Sequence, residues 1–188
     1  MLLAGIVLLI AIGLGLSLGG RLTMLAHLRL RHRWLLVLSL LAQLGGAVVG
    51  GPAYPLGLAA SALLLGWFLL ANRGIHGLGL VALGVLANAL VVGANGAMPV
   101  SADASGRAGI STQSLLQSDD PRHQLADGHT SLRWLGDVIP VQLPFRPQVA
   151  SPGDLLVLAG LAELLVVGMT GAARPRAAVA GWSEPTSR

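Results

Sequence analysis

The chain has no cysteine and no lysine, and charged residues make up only 11% of its 188 residues. Without cysteine there is no disulfide, no thiol nucleophile and no thiolate metal site, so several enzyme classes are excluded. Soluble domains carry roughly a quarter charged residues, whereas 54% of this chain is hydrophobic. The apolar excess has to face lipid, and the composition therefore predicts an integral membrane protein.

Five apolar stretches carry that excess, and together they contain a single charged side chain, Glu163. Each is 16 to 18 residues long, and they are Leu2–Leu18, Trp34–Val49, Leu56–Ala71, Leu78–Ala94 and Leu155–Ala172. A membrane span needs about 20 residues, which flanking glycines can complete. We therefore expect an all-α integral membrane protein with five transmembrane helices. A soluble helical bundle is the alternative, but its helices would carry a charged face.

A polar insertion of 58 residues, 95–152, separates the fourth stretch from the fifth. Its short apolar pieces predict an ordered extracytoplasmic cap rather than a linker. The expected domains are a four-helix part (1–94), the cap (95–152), the fifth helix (153–172) and a disordered cytoplasmic tail (173–188). Inside the cap, a short helix is expected at 111–118.

Arginine supplies all twelve basic residues and sets the expected orientation. Eight arginines lie in the loop 21–33, the turn 72–77 and the tail, which are alternate connections. Because cytoplasmic loops carry the excess of positive charge, we expect the N-terminus and cap outside and the C-terminus inside. The arginine bias is typical of a GC-rich bacterial genome, so the expected location is the bacterial inner membrane. The arginines form no stripe interleaved with aromatics, so we expect no nucleic-acid partner.

Several spans place a polar side chain at a similar level. At a rise of about 1.5 Å per residue, the depth below the outer end is roughly 8 to 12 Å for Gln43, Ser61, Asn88 and Glu163. A lone carboxylate is costly in lipid, so we expect Glu163 to face the bundle interior, either protonated or hydrogen-bonded to Asn88 and Gln43. Hydrogen bonding between helices is the simpler interpretation, and the floor of a cavity open to the outside is the sharper one.

Two aspartates near the end of the cap are the candidate catalytic residues. Asp137 lies in an apolar neighbourhood, where a turn aspartate is the simpler interpretation. Asp154 closes the run Ser151-Pro152-Gly153-Asp154, which predicts a capping box that can by itself explain this residue. Two carboxylates about 3 Å apart could instead share a proton and activate water.

One group of side chains has the ligand types of a divalent metal site. These are His123, Asp127 and His129. The glycine and proline around them indicate a solvated loop instead, so we expect neither a metal nor a cofactor.

Three signatures occur in order along the chain: Asn95-Gly96-x-Met98-Pro99-Val100-Ser101, Leu135-Gly136-Asp137-x-Ile139-Pro140 and Ser151-x-Gly153-Asp154. Together they resemble an uncharacterised bacterial family of multi-pass membrane proteins, domain-of-unknown-function family 5317, and Gly19-Gly20-Arg21-Leu22 also fits. The resemblance covers nearly the whole chain. It implies the multi-pass architecture and nominates Asn95, Asp137 and Asp154, but it implies no reaction.

The chain is also loosely similar to lipoprotein signal peptidase, a small multi-pass aspartic protease. That family enters its last helix through Phe-Asn-x-Ala-Asp, and here the equivalent entry is Ala150-Ser151-Pro152-Gly153-Asp154. Asn95-Gly96 likewise ends an earlier helix. Ser151 replaces the asparagine of that motif, and no Asp-Arg follows Asn95-Gly96.

The preferred interpretation is a membrane protein of unassigned activity with a binding or structural role. Its outward-facing polar site would contain Asn95, Ser101, Asn88, Gln43 and Glu163. The expected partners are membrane lipid and, on the outer face, a lipid-like or protein ligand. The alternative is a membrane-embedded aspartic hydrolase or peptidase that uses Asp137 and Asp154. A small transporter is less favoured because five spans show no inverted repeat.

Overall fold

The structure, a computed structural model, describes residues 2–50, 53–111, 122–144 and 146–171. Each of the five apolar stretches is helical over most of its described residues. The α-helices in this part are α1 (Leu2–Ser17), α2 (Trp34–Val49), α3 (Ala53–Ala71), α4 (Leu78–Asn95), α5 (Ala102–Ala108) and α6 (Pro152–Thr170). Except for Ser111, the expected helix at 111–118 lies outside the described residues, as does the tail 173–188.

Two of these helices, α4 and α6, are long and apolar enough to cross a membrane. The apolar segments of α1, α2 and α3 are shorter, and they are Leu2–Ser17, Trp34–Gly46 and Leu56–Ala71. Both α4 and α6 end where a glycine adopts a positive φ, 81° at Gly96 and 70° at Gly171. Glycine adopts this left-handed conformation without the steric cost that a side chain would add, so these residues stop the helices.

Glycines bring α4 and α6 into direct backbone contact. A Cβ at Gly84 would meet the carbonyl oxygen of Gly153, and a Cβ at Gly77 would meet that of Gly160. The contacting glycines lie seven residues apart on each helix, so each pair occupies one face. Small residues permit this close approach between apolar helices, and it fixes how the start of α6 lies against α4.

The helices α2 and α3 form an antiparallel hairpin. Two buried serines join them, since Ser39 Oγ lies 2.9 Å from Ser61 Oγ. Gly57 of α3 packs on the backbone of Ala42 and Gly46. These two small residues lie four positions apart on α2, a spacing that lets helix backbones approach closely. At the other end of the hairpin, a buried apolar cluster joins α2, α3 and α4, and its members are Leu35, Phe68, Leu69, Leu78 and Val81.

The cap contains short strands, so the all-α expectation is wrong in this region. The parallel pair is β1 (Met98–Val100) with β2 (His123–Leu125), and the antiparallel pair is β3 (Ile139–Val141) with β4 (Gln148–Ala150). Each strand has three residues, which is too short to show a period-two pattern in the sequence. The chain remains mostly helical, and the cap strands lie near the C-terminal end of α4 and the N-terminal end of α6.

Candidate functional site

Asp137 is fixed by backbone hydrogen bonds to the two residues that flank Val100 of β1. Its N–H donates to the Pro99 carbonyl over 2.8 Å, and its carbonyl accepts from the Ser101 N–H over 2.9 Å. The residue is only 7% exposed. The sequence run Leu135-Gly136-Asp137 therefore places a carboxylic acid inside the cap instead of on a solvated turn.

Asp154 belongs to the first turn of α6, as the capping-box pattern predicts. The Ser151 N–H donates to Asp154 Oδ2 over 3.2 Å, and the Asp154 N–H donates to Ser151 Oγ over 3.0 Å. Pro152 occupies the first turn, where its missing N–H costs nothing. The capping box is confirmed, and it holds the carboxylate at the end of α6 nearest the cap.

Asn88 connects this helix start to α4. Its Nδ2 donates to Asp154 Oδ1 over 2.8 Å, and its Oδ1 accepts from Ser151 Oγ over 2.9 Å. A Cβ at Gly153 would collide with Asn88 Oδ1, so the glycine leaves the space that the amide fills. Both oxygens of Asp154 therefore act as acceptors, as those of an ionised carboxylate do.

The two aspartates interact electrostatically. Burial, and after it the negative charge of Asp154, raises the pKa of the Asp137 carboxyl from 3.8 to about 7. His123 from β2 is the third group, with Nε2 3.8 Å from Asp137 Oδ2. At neutral pH Asp137 can thus carry a proton, while Asp154 acts on it through its negative charge. We call Asp137, Asp154, Asn88, Ser151 and His123 the carboxylate site.

Asn95 and Ser101 lie in the cap but serve its backbone. Asn95 donates to the Ser131 carbonyl over 2.9 Å and accepts from the Ser131 N–H over 2.9 Å, so it fastens this turn to the end of α4. Ser101 is the N-cap of α5 and accepts from the Ala104 N–H over 3.3 Å. Neither side chain hydrogen-bonds to the two aspartates among the described residues.

The remaining members of the predicted polar layer are not brought together. Gln43 is exposed on α2, and Glu163 is half-buried on α6. Neither makes a hydrogen bond to any residue that the structure describes. Asn88 bonds to the helix start of α6 instead of to Glu163, because Glu163 lies nine residues, or about two and a half turns, beyond Asp154 on the opposite face.

The metal-type side chains of the cap are also separated. Asp127 Oδ1 accepts from the His129 N–H over 2.9 Å and from Thr130 Oγ1 over 3.0 Å, so it closes a local turn. These hydrogen bonds lower the pKa of Asp127. His123 lies beside Asp137 instead. In the part of the chain that the structure describes, no three His, Asp or Glu side chains are grouped as metal ligands.

Sequence reasoning missed the partners of the two aspartates. Nothing in the spacing of His123 indicates that it reaches Asp137, because the pairing of β2 with β1 places it there. Asn88 was identified as a polar residue of its span, but its bond to Asp154 depends on the packing of α4 on α6. The available signal was the seven-residue glycine spacing, Gly77 to Gly84 and Gly153 to Gly160.

The fold and the site together define a mostly helical protein with apolar helices that could cross a membrane, a buried Asp137 in the cap and a half-buried Asp154 at the start of α6. The chain belongs to the family of unknown function DUF5317, whose family model matches residues 27–166. This match confirms the resemblance to that family. No curated protein and no solved structure matches the chain, so the looser similarity to lipoprotein signal peptidase is not shown.

Proposed function

We propose that the protein is a multi-pass protein of a bacterial inner membrane, with five spans, the N-terminus and cap outside and the C-terminus inside. Exposed apolar side chains on the shorter helices support this proposal: Leu9 on α1 is 69% exposed, Val48 on α2 85% and Leu63 on α3 76%. Apolar surface of this extent needs lipid or a partner to cover it. The arginines of the loop 21–33 support the orientation.

We propose further that the carboxylate site hydrolyses an acyl bond, in a peptide or an ester, at the outer membrane surface. The observation that carries this proposal is the buried position of Asp137, which is 7% exposed, and there burial, followed by the charge of Asp154, raises its pKa to about 7. A pair with one proton at neutral pH supplies a general acid and a general base together. Neither a metal nor a nucleophilic side chain is required.

In this reaction Asp154 accepts a proton from water, and the water oxygen forms a bond to the acyl carbon. Asp137 gives its proton to the carbonyl oxygen, so a tetrahedral diol forms. The carbon–nitrogen or carbon–oxygen bond then breaks, one diol proton returns to Asp137, and the proton on Asp154 passes to the leaving group. Asn88 and Ser151 are positioning residues, because they orient the Asp154 carboxylate by hydrogen bonds and have no contact with the substrate in this scheme.

An epoxide reagent tests this proposal without knowledge of the substrate. A carboxylate opens the ring of an aryl glycidyl ether and forms an ester, and the resulting alkoxide needs a proton from a neighbouring acid. We expect mass spectrometry of the full chain in detergent, treated near pH 6, to find the ester on Asp154. Asp137→Asn removes the proton donor and should lower the labelling about tenfold or more. Asp103→Asn, at a side chain that is 78% exposed, is the matched control.

Two results of that labelling would overturn the hydrolase proposal. One is that Asp154 of the wild-type protein stays unlabelled while the same epoxide modifies exposed carboxylates. The other is that Asp137→Asn labels as fast as the wild type, which would show that the two carboxyl groups do not act together.

A second candidate function is ligand binding without catalysis. It is favoured by the hydrogen bonds that already occupy both oxygens of Asp154, since Ser151 and Asn88 hold this carboxylate as part of the helix start. A protonated Asp137 would then donate a hydrogen bond to a lipid-like or protein ligand on the outer face. Absence of the epoxide ester on Asp154 is the outcome that favours this candidate.

A further inference from the structure

The end of the molecule opposite the cap carries a cluster of positive charge. The loop 21–33 packs there on the C-terminal end of α6, where Leu25 contacts Gly168 and the Arg21 N–H donates to the Met169 carbonyl. The exposed cations of this face are Arg21, Arg29, Arg31, Arg33 and Arg73. None of them forms an ion pair with a residue that the structure describes.

Acidic groups are absent from this face within the described ranges. The acidic residues that the structure describes lie in the cap or on α6, and they are Asp103, Asp127, Asp137, Asp154 and Glu163. The arginines therefore have no counter-charge from the described protein. Phosphate oxygens are the usual partners of an arginine guanidinium, which can bind two of them at once.

A buried side chain fixes the geometry of this cluster. Asn72 is only 3% exposed, and its Oδ1 accepts from the Arg31 N–H over 2.8 Å. Its Nδ2 donates to the Arg31 carbonyl over 3.0 Å and to the Phe68 carbonyl over 2.7 Å. The arginine loop is thus fastened to the end of α3, immediately before Arg73. The positive-inside rule requires only that a cytoplasmic loop carry positive charge. The hydrogen bonds of Asn72 additionally fix where the arginine loop lies.

Aromatic rings lie beside the same loop. His32 has a φ of 53°, which is uncommon for a residue with a side chain, and its ring centroid lies 6.2 Å from that of Trp34 and 6.5 Å from that of Trp67. Both tryptophans are exposed. Exposed tryptophans at the ends of apolar helices are typical of the headgroup level of a membrane. In a membrane protein, arginines and tryptophans in such positions lie at the depth of the lipid phosphates.

We propose that this face binds the phosphate headgroup of an anionic phospholipid in the leaflet opposite the cap. Its residues are Arg31, His32, Arg33, Trp34, Trp67 and Arg73, and we call them the lipid site. A zwitterionic phospholipid carries its own cation and gains less from the arginines, so the site discriminates by net headgroup charge. This proposal rests on the membrane location proposed above and does not depend on the carboxylate site.

Tryptophan quenching by brominated lipid tests the proposal on the full chain in mild detergent. Trp134→Phe and Trp182→Phe leave Trp34 and Trp67 as the only tryptophans. We expect brominated phosphatidylglycerol to quench them at concentrations about tenfold or more below those needed for brominated phosphatidylcholine. Arg31→Gln, Arg33→Gln and Arg73→Gln together should abolish this preference. The matched control carries the same three changes at exposed cap arginines, namely Arg107, Arg133 and Arg146, and should keep it.

Asn72→Ala distinguishes a built site from a diffuse positive field, because it keeps every charge. We expect this variant to lose most of the preference for phosphatidylglycerol while its helix content and elution volume match those of the parent. Equal quenching by the two lipids in the parent protein would overturn the proposal. So would an undiminished preference in Asn72→Ala, or in the triple arginine variant. If the triple variant does not fold, Arg31→Gln alone is compared with Arg107→Gln on the same criteria.

Discussion

Asn88 Nδ2 donates a 2.8 Å hydrogen bond to Asp154 Oδ1, and this bond joins the second half of α4 to the first turn of α6. The other end of the same amide accepts from Ser151 Oγ over 2.9 Å. Both the nitrogen and the oxygen of the Asn88 side-chain amide therefore hydrogen-bond to residues at the start of α6. The position of the Asp154 carboxylate therefore depends on how α4 packs against α6, and not only on the capping box.

We expect Asn88→Ala to destabilise the protein by about 1–3 kcal/mol, because the Ser151 O–H loses its acceptor and Asp154 Oδ1 loses its donor. Equilibrium unfolding in detergent measures this loss. Gln43→Ala is the matched control, since Gln43 is an exposed amide on α2, and its effect should stay within about 0.5 kcal/mol. Equal losses for the two variants would contradict the role of Asn88.

Gly153→Ala should be similarly harmful, for a steric reason. A Cβ at Gly153 would collide with Asn88 Oδ1 and approach the Gly84 carbonyl oxygen to 2.7 Å. We expect a cost of about 1–3 kcal/mol, since helix backbones in contact cannot yield as a flexible side chain can. Gly79→Ala, on a side of α4 where nothing lies within 4 Å, is the control. It should be neutral or stabilise by up to about 1 kcal/mol, because alanine favours helix.

Local sequence signals predicted the elements of this site better than its contacts. Ser151 and Asp154 form the expected capping box because all its atoms lie within one helical turn. The apolar stretches predicted helices because their length exceeds that of a strand. The strands β1 and β3 have three residues each, and the middle residue is a proline, Pro99 in β1 and Pro140 in β3. Such segments carry no periodic pattern, so the ordered cap was predicted without strands.

The contacts between distant residues could not be predicted for a different reason. His123 reaches Asp137 because the chain between them folds back beside β1, and no spacing rule encodes that path. Glu163 and Asn88 were expected to meet because they lie at similar depths. The structure places them at different depths: Asn88 is level with Ser151 and Asp154, whereas Gly77, just before α4, is level with Gly160, so Glu163 lies near the opposite end of α4.

The raised pKa of Asp137 predicts a pH dependence of stability. The folded state keeps a proton on this carboxyl up to about pH 7, whereas the unfolded chain releases it near pH 3.8. The folded protein therefore binds more protons between these values, and its free energy of unfolding decreases as pH rises through that window. Asp137→Asn removes the titrating group, so its stability relative to the wild type should be higher at pH 8 than at pH 5. Unfolding at the two pH values measures this difference. A constant difference would contradict the prediction.

Single cysteines test the proposed topology cleanly, because the chain has none of its own. Ala102→Cys places a thiol at an exposed position of α5 in the cap, and Thr23→Cys places one at an exposed position of the loop 21–33. In intact cells we expect a membrane-impermeant maleimide to label the cap cysteine. The loop cysteine should react only after the membrane is permeabilised. Labelling of both in intact cells, or the reverse order, would contradict the proposed orientation.

The most direct test of the carboxylate site is an infrared pH titration of the protonated carboxyl stretch, with the Asp137→Asn spectrum subtracted. Asp137 should then appear as a band that disappears with a midpoint near pH 7. In Asp154→Asn the midpoint should fall, since the charge of Asp154 contributes to the raised pKa, but burial should keep it above 3.8. An Asp137 midpoint that Asp154→Asn leaves unchanged would show that the two carboxyl groups do not share a proton.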